Sequence, residues 1–179
     1  SGIPGHTTPS ADPCSWVCCG REYWQVWREW GRQHPRPWPP PPQFLPTTAR
    51  GCLSSRTSPG KPVCILLEVP QTEQQFSWGL QLRPPLPPLR GMWFPFSPAA
   101  AVRFWMHRTP APLDMLFVSE GRVIAIQAAV PSCMRLPCRS YGAGSAVDGV
   151  MELAAGEAAR LGIEVGSALS LEPLTDGGR

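Results

Sequence analysis

Cys133, Cys138, His107 and Asp114 are the side chains of this sequence whose types could carry out a reaction. A cysteine activated by an imidazole, with a carboxylate to orient the ring, is the constellation of a thiol-dependent hydrolase, because the thiolate is the nucleophile. The four-residue gap between Cys133 and Cys138, with Pro131 and Pro137 nearby, also suits a disulfide that closes a small loop. A third reading joins both cysteines to His107 as part of a metal site, although a structural zinc takes four ligands. Asp114 lies in an apolar run, and burying a carboxylate is costly unless it is paired or accepts hydrogen bonds. Arg83, Arg103 and Arg108 are candidate partners for it. Alternatively, Asp114 ties a turn after Pro112 by accepting from local backbone N–H groups.

Strand alternation sends Trp105 and His107 to one face and Phe104 and Met106 to the other. An aromatic plate beside an imidazole could line a ligand cleft. Otherwise Trp105 is half-buried cover for a sheet, with His107 at its rim.

The elements that must position these groups begin at Val63. Val63–Val69 is a short apolar run rich in branched residues, hence a strand. Thr72 is a plausible N-cap for a helix over 73–82, which Pro84 and Pro85 terminate. Residues 91–96 and 102–107 alternate as strands, the first an edge or a bulge because of Pro95. Residues 113–118 and 122–127 form a hairpin around Ser119-Glu120-Gly121. Residues 147–153 read as a strand, 154–161 as a helix capped by Gly162, and 163–171 as a closing strand. About seven strands and two short helices make an α+β fold, largely antiparallel.

The chain has 179 residues and a net charge of +3, but the charge is uneven. Residues 1–62 hold 12 of the 24 prolines, seven basic and three acidic side chains, and few aliphatics. Such a segment cannot bury enough apolar surface to offset its ordering entropy, so 1–62 reads as a disordered extension. Its composition also fits translation from upstream of a genuine start, and the initial Ser1 fits a fragment or a processed product. Within it, Pro35–Pro46 favours polyproline II, a spacer or a partner-docking segment. Residues 22–32 space Tyr23, Trp27 and Trp30 as a short amphipathic helix would, either frayed or an interfacial anchor. Cys14, Cys18 and Cys19 match no common zinc-finger spacing. No run of 18 apolar residues could span a membrane, and no phosphate loop is present. Residues 63–179 are slightly acidic, which gives no support to nucleic-acid binding.

Several blocks in the second part resemble the domain of unknown function 192 family, an uncharacterised bacterial and archaeal family. They are Gly79-Leu80 followed by Arg83 and Leu86, then Gly91-Met92-Trp93-Phe94. Phe104-Trp105-Met106-His107-Arg108-Thr109 runs on into Pro112-Leu113-Asp114-Met115-Leu116-Phe117. Further on come Gly121-Arg122-Val123, the cysteine pair before Ser140-Tyr141-Gly142, Glu152 to Gly156, and Leu161 to Gly166. His107-Arg108 stands where the family has Lys-Asn, and Gly166-Ser167 where it has Gly-Asp. The resemblance covers residues 63–173. It implies a small barrel-like β fold with helical plugs, no established activity, and an exported or lipid-anchored setting. Export favours the Cys133–Cys138 disulfide.

The sequence thus reads as an extension over 1–62, an α+β domain over 63–173 and a tail over 174–179. The domain is expected to be a monomeric binding or accessory module outside the cytoplasm, without metal or cofactor. Its partner is a small ligand or an envelope protein, not nucleic acid, and any signal or lipid anchor is missing from this sequence. The candidate ligand-binding residues are Arg83, Trp105, His107, Thr109, Asp114 and Tyr141. The alternative is a hydrolase that uses Cys133 or Cys138 with His107 and Asp114. Cys64, in the first strand, reads as a buried core thiol.

Overall fold

The stretch Leu113–Ser119 is buried at every position but its last, which requires cover on both faces of a strand. The structure, a computed structural model describing residues 41–175, supplies that cover. In chain order the elements are β1 (Thr47–Leu53), β2 (Val63–Glu68), α1 (Glu73–Trp78), β3 (Arg90–Ala100), β4 (Phe104–Trp105) and β5 (Leu113–Ser119). There follow β6 (Arg122–Val130), β7 (Ser140–Tyr141), β8 (Val147–Ala154), α2 (Glu157–Arg160) and β9 (Leu169–Pro173). Seven strands form one sheet in the order β6-β5-β8-β3-β2-β1-β9, and β4 pairs with β7 apart from it. Every pairing is antiparallel except β2 with β3. A parallel pair needs a crossover, and α1 with the loop to Leu89 provides it.

The barrel-like closure expected from the sequence is not made. Among the described residues the two edge strands are stitched at one corner, where Arg122 bridges Ala168 and Val123 N–H donates to Ser167 O at 3.0 Å.

Alternation divides the sheet between two cores. One face carries Leu53, Ile65, Leu67, Trp93, Leu116 and Met151, covered by Ala158, Leu161 and Ile163. The other carries Met92, Phe94, Met115, Phe117 and Val150, covered by Leu80, Leu86 and Met106. Phe76 of α1 and Phe104 of β4 add to this second core.

Several boundaries move. β1 lies inside the segment read as an extension, so the ordered region starts well before Val63. β1 is poor in aliphatics but is hydrogen-bonded on both sides, to β2 and β9, and it buries Leu53 completely. Upstream, Gln43 Nε2 donates to Gln75 O and Gly79 O of the α1 region, and Leu45 N–H to Glu68 Oε2. Cys64 is not a buried thiol. Ile65 and Leu67 take the core face, so Cys64 points outward, opposite Cys52, and the two form a disulfide. Helix α1 has the expected cap, Thr72 Oγ1 accepting from Gln75 N–H at 3.1 Å, but ends at Gly79. The strand expected over 102–107 forms a ladder at Phe104–Trp105, with a separate single bridge at His107, and the last strand starts at Leu169. Helix α2 has four residues, since Ala154 still belongs to β8. Gly162 ends it with φ 67°, and a Cβ there would meet Thr57 Oγ1 at 2.7 Å. The cysteines at 14, 18 and 19, the segment 22–32 and the first half of 35–46 lie outside the described residues.

Candidate functional site

β4 is held from within. Phe104 packs on Phe94, ring centroids 5.0 Å apart, and Met106 is buried in the second core. The residues between them in the alternation must point outward. Trp105 is 49% exposed, and its ring lies 5.1 Å from that of His107. β7 lies alongside, with Phe104 opposite Tyr141 and Trp105 opposite Ser140. Arg103 fastens that pairing through Nε to Ser140 Oγ and Nη2 to Ser140 O. The Arg139 guanidinium lies over the Tyr141 ring, 5.2 Å from its centroid.

The chain on the other side of this edge is the cysteine loop. His107 bridges Cys133 in parallel fashion. Cys133 N–H donates to Met106 O, and Arg108 N–H to Cys133 O, both at 3.1 Å. Cys133 and Cys138 are joined by a disulfide, and the loop between them exposes Met134 and Leu136 at 54% and 62%. Trp105 and His107 thus neighbour the cysteine loop that carries the exposed Met134 and Leu136.

The other expected site residues do not join them. Arg83 is buried in a two-pronged ion pair with Glu68, at 2.6 and 2.9 Å, and its guanidinium lies over the Phe44 ring. Its Nε has no hydrogen-bond partner among the described residues. Asp114 faces the opposite core and pairs with neither Arg83 nor Arg103, which are engaged elsewhere. Its two oxygens accept from Ala129 N–H at 2.8 Å and Ala158 N–H at 3.0 Å. The first bond fixes an irregularity in the β5–β6 ladder, where Ala129 takes φ 48°. The second satisfies an N-terminal donor of α2, whose N-cap Gly156 has no side chain to do so. Thr109 is buried, with its hydroxyl 3.4 Å from His107 O. The hydrolase arrangement is therefore not assembled: both sulfurs are bonded to each other and the Asp114 oxygens are occupied. The same S–S bond removes the metal half-site. Among the described residues no three His, Cys, Asp or Glu side chains gather to hold a metal ion.

A buried polar row went unforeseen. Successive register partners across the sheet are Thr47, Glu68, Met92, Glu152, Met115 and Gln127. Direct partners share a face, so both glutamates look into the second core. Glu152 is only 6% exposed, between the fully buried Met92 and Met115. Burial pushes its carboxyl up to about 8, so it holds its proton at neutral pH. The argument that singled out Asp114, a carboxylate inside an apolar run, applies equally to Val150-Met151-Glu152-Leu153 and would have found it.

Comparison with known proteins agrees with this architecture. A protein from Sinorhizobium meliloti 1021, described as a candidate transcription regulator, is 30% identical in sequence. Its structure superposes with a TM-score of 0.63 over 72% of this chain and 96% of that one. A protein of unknown function from Novosphingobium aromaticivorans DSM 12444 is 28% identical, with a TM-score of 0.60 over 68% of this chain and 83% of its own. No curated protein matches the chain. The profile of the domain of unknown function 192 family, described as uncharacterised ACR, matches residues 55–171. The chain belongs to that family.

Proposed function

We propose that this chain is a binding domain of an extracytoplasmic compartment, without catalytic hydrolysis, which holds a partner protein on the Trp105–His107 edge. The observation that carries the reading is the exposure of Trp105 on His107 beside a disulfide-closed loop that presents Met134 and Leu136. Exposed tryptophan with other exposed apolar side chains nearby in the chain fold is a common composition of an interface hot spot. A small molecule would need a concave site that covers most of its surface, whereas half of Trp105 stands clear. Two disulfides suit an oxidising compartment. Among the described residues no helix is long and apolar enough to cross a membrane. The α-helices described here have six and four residues, too short to read a DNA groove as a recognition helix does.

The test is site-specific photocrosslinking in cells that carry the gene naturally. A photoreactive phenylalanine analogue replaces Trp105 in the full chain, or, as an exposed control, Lys61 in the loop between β1 and β2. The expected result is a discrete protein adduct at position 105, in the periplasmic or envelope fraction, and none at 61. Equal labelling at both positions, or none at 105, refutes the reading.

A further inference from the structure

We infer that the Cys133–Cys138 disulfide is a thiol–disulfide exchange site, which oxidises a dithiol client protein. The inference rests on the binding reading for how the client is held, but not for the exchange chemistry.

Four observations converge on this loop. Both cysteines are half-buried, while Met134 to Pro137 are exposed, so the S–S bond stands at the surface. One end is fixed and the other is not built into a ladder: Cys133 is hydrogen-bonded to the chain on either side of His107, whereas Cys138 leads into exposed Arg139. The surroundings are basic by residue type. His107 is the bridge partner of Cys133, Arg135 lies within the loop and Arg139 follows it, and residues 121–147 contain no Asp or Glu. Such neighbours favour a thiolate, and a thiol that ionises more readily is also the better leaving group. Finally, Trp105, Met134 and Leu136 give an apolar client a place to dock beside the sulfurs.

These features assign unequal roles. A client thiolate attacks Cys138 Sγ, and a client–Cys138 bond forms as the Cys133–Cys138 bond breaks. Cys133 departs as a thiolate beside His107 and is protonated there or by water. The client's second thiol gives its proton to solvent, and its sulfur attacks the client sulfur of the mixed disulfide. Cys138 is expelled as a thiolate and takes a proton. The client loses two electrons and gains a disulfide, and the chain is left as the Cys133, Cys138 dithiol. The chain's own disulfide is the oxidant, so a single turnover needs no further reagent. The Cys52–Cys64 disulfide has a different setting, between two strands that are each paired on both sides.

The test uses the full chain with Cys14, Cys18 and Cys19 changed to Ser, so that only the two described disulfides report. Excess dithiothreitol is added at pH 7, in native buffer and in denaturant, with acid quench, alkylation and peptide mass analysis. A purely structural disulfide reduces more slowly when the chain is folded. For Cys133–Cys138 the native rate should exceed the unfolded rate by about tenfold, because only the fold brings His107 alongside Cys133 as the sulfur departs. His107→Ala should remove most of that acceleration. A native rate equal to or below the unfolded rate overturns the inference. In a second arm, a reduced peptide with two cysteines and flanking apolar residues replaces dithiothreitol. Trp105→Ala should lower the ratio of peptide rate to dithiothreitol rate several-fold. If that ratio does not change while folding still accelerates exchange, the exchange site stands and the binding edge is refuted.

Discussion

Replacing Glu152 by Gln should make the folded chain more stable near pH 8 and leave it nearly unchanged near pH 4.5. Glu152 is buried between Met92 and Met115, and the charges nearest to it in register are those of the Glu68–Arg83 pair, one strand beyond Met92. Burial raises its carboxyl from 4.5 to about 8 in the folded chain. Below pH 4.5 folded and unfolded forms both hold the proton, and the stability is at its full value. Between 4.5 and 8 only the unfolded form ionises, so stability falls as pH rises, by up to about 1.4 kcal/mol per pH unit. Above pH 8 the loss is complete. It amounts to a ceiling of about 5 kcal/mol, a large part of the ~5–15 kcal/mol that stabilises an ordinary domain. Glutamine keeps the shape without the ionisation. The assay is urea unfolding of both proteins, disulfides intact, at half-unit steps from pH 4.5 to 8.5. The difference between them cancels the titration of every other group that the substitution leaves alone. A difference that stays flat across this range would show that the folded chain ionises Glu152 as readily as the unfolded one, and the reasoning from burial would fail.

Asp114→Ala should cost roughly 2–4 kcal/mol, because it strands the N–H groups of Ala129 and Ala158. Asp114→Asn, which retains one carbonyl acceptor, should cost less, and equal urea midpoints for the two would contradict the capping role. Arg83→Met alone should destabilise by about 3–5 kcal/mol by leaving Glu68 charged and buried, and Glu68→Leu added to it should recover most of the loss. If the double variant is no better than the single one, the pair is not coupled as its geometry implies. Gly149→Ala should lower the melting temperature through a cost of about 1–3 kcal/mol or more, since a Cβ there would lie 2.0 Å from the Trp93 ring. A wild-type melting curve would mean that the ring moves freely.

What could be read in the sequence was what depends on neighbours in sequence. The β5–β6 hairpin follows from two apolar runs around Gly121, and the α1 cap from Thr72 just before Glu73. β1 was hidden because its stability comes from backbone bonds to β2 and β9, which leave no mark on composition. Once β1 was taken for a loose extension, Cys64 had no visible partner, although Cys52 lies opposite it. The length of α2 was misjudged for a related reason: its start is fixed by Asp114, 44 residues away. No local pattern announces a cap supplied from another strand.

The candidate site divides along the same line. That Trp105 and His107 share one face and Phe104 and Met106 the other was legible from alternation, but which face is core was not, and the structure turns Phe104 and Met106 inward. The partners of Arg83 and Asp114 were not legible either, since charge type alone does not say which carboxylate meets which cation. This separation has a consequence for mutational work. The segment from Phe104 to Thr109 is a wall one residue thick, with Met106 turned toward the core that contains Glu152 and with Trp105 and His107 turned to solvent. Changes at Glu152, Asp114 or Arg83 act on the buried interior, not on the exposed face of the wall. Changes at Trp105 act on what meets it from outside and should leave the urea midpoint within about 0.5 kcal/mol of wild type, as exposed substitutions usually do. If Trp105→Ala instead unfolds the chain as Asp114→Ala is expected to, Trp105 is part of the fold, and the case for an exposed binding edge is lost.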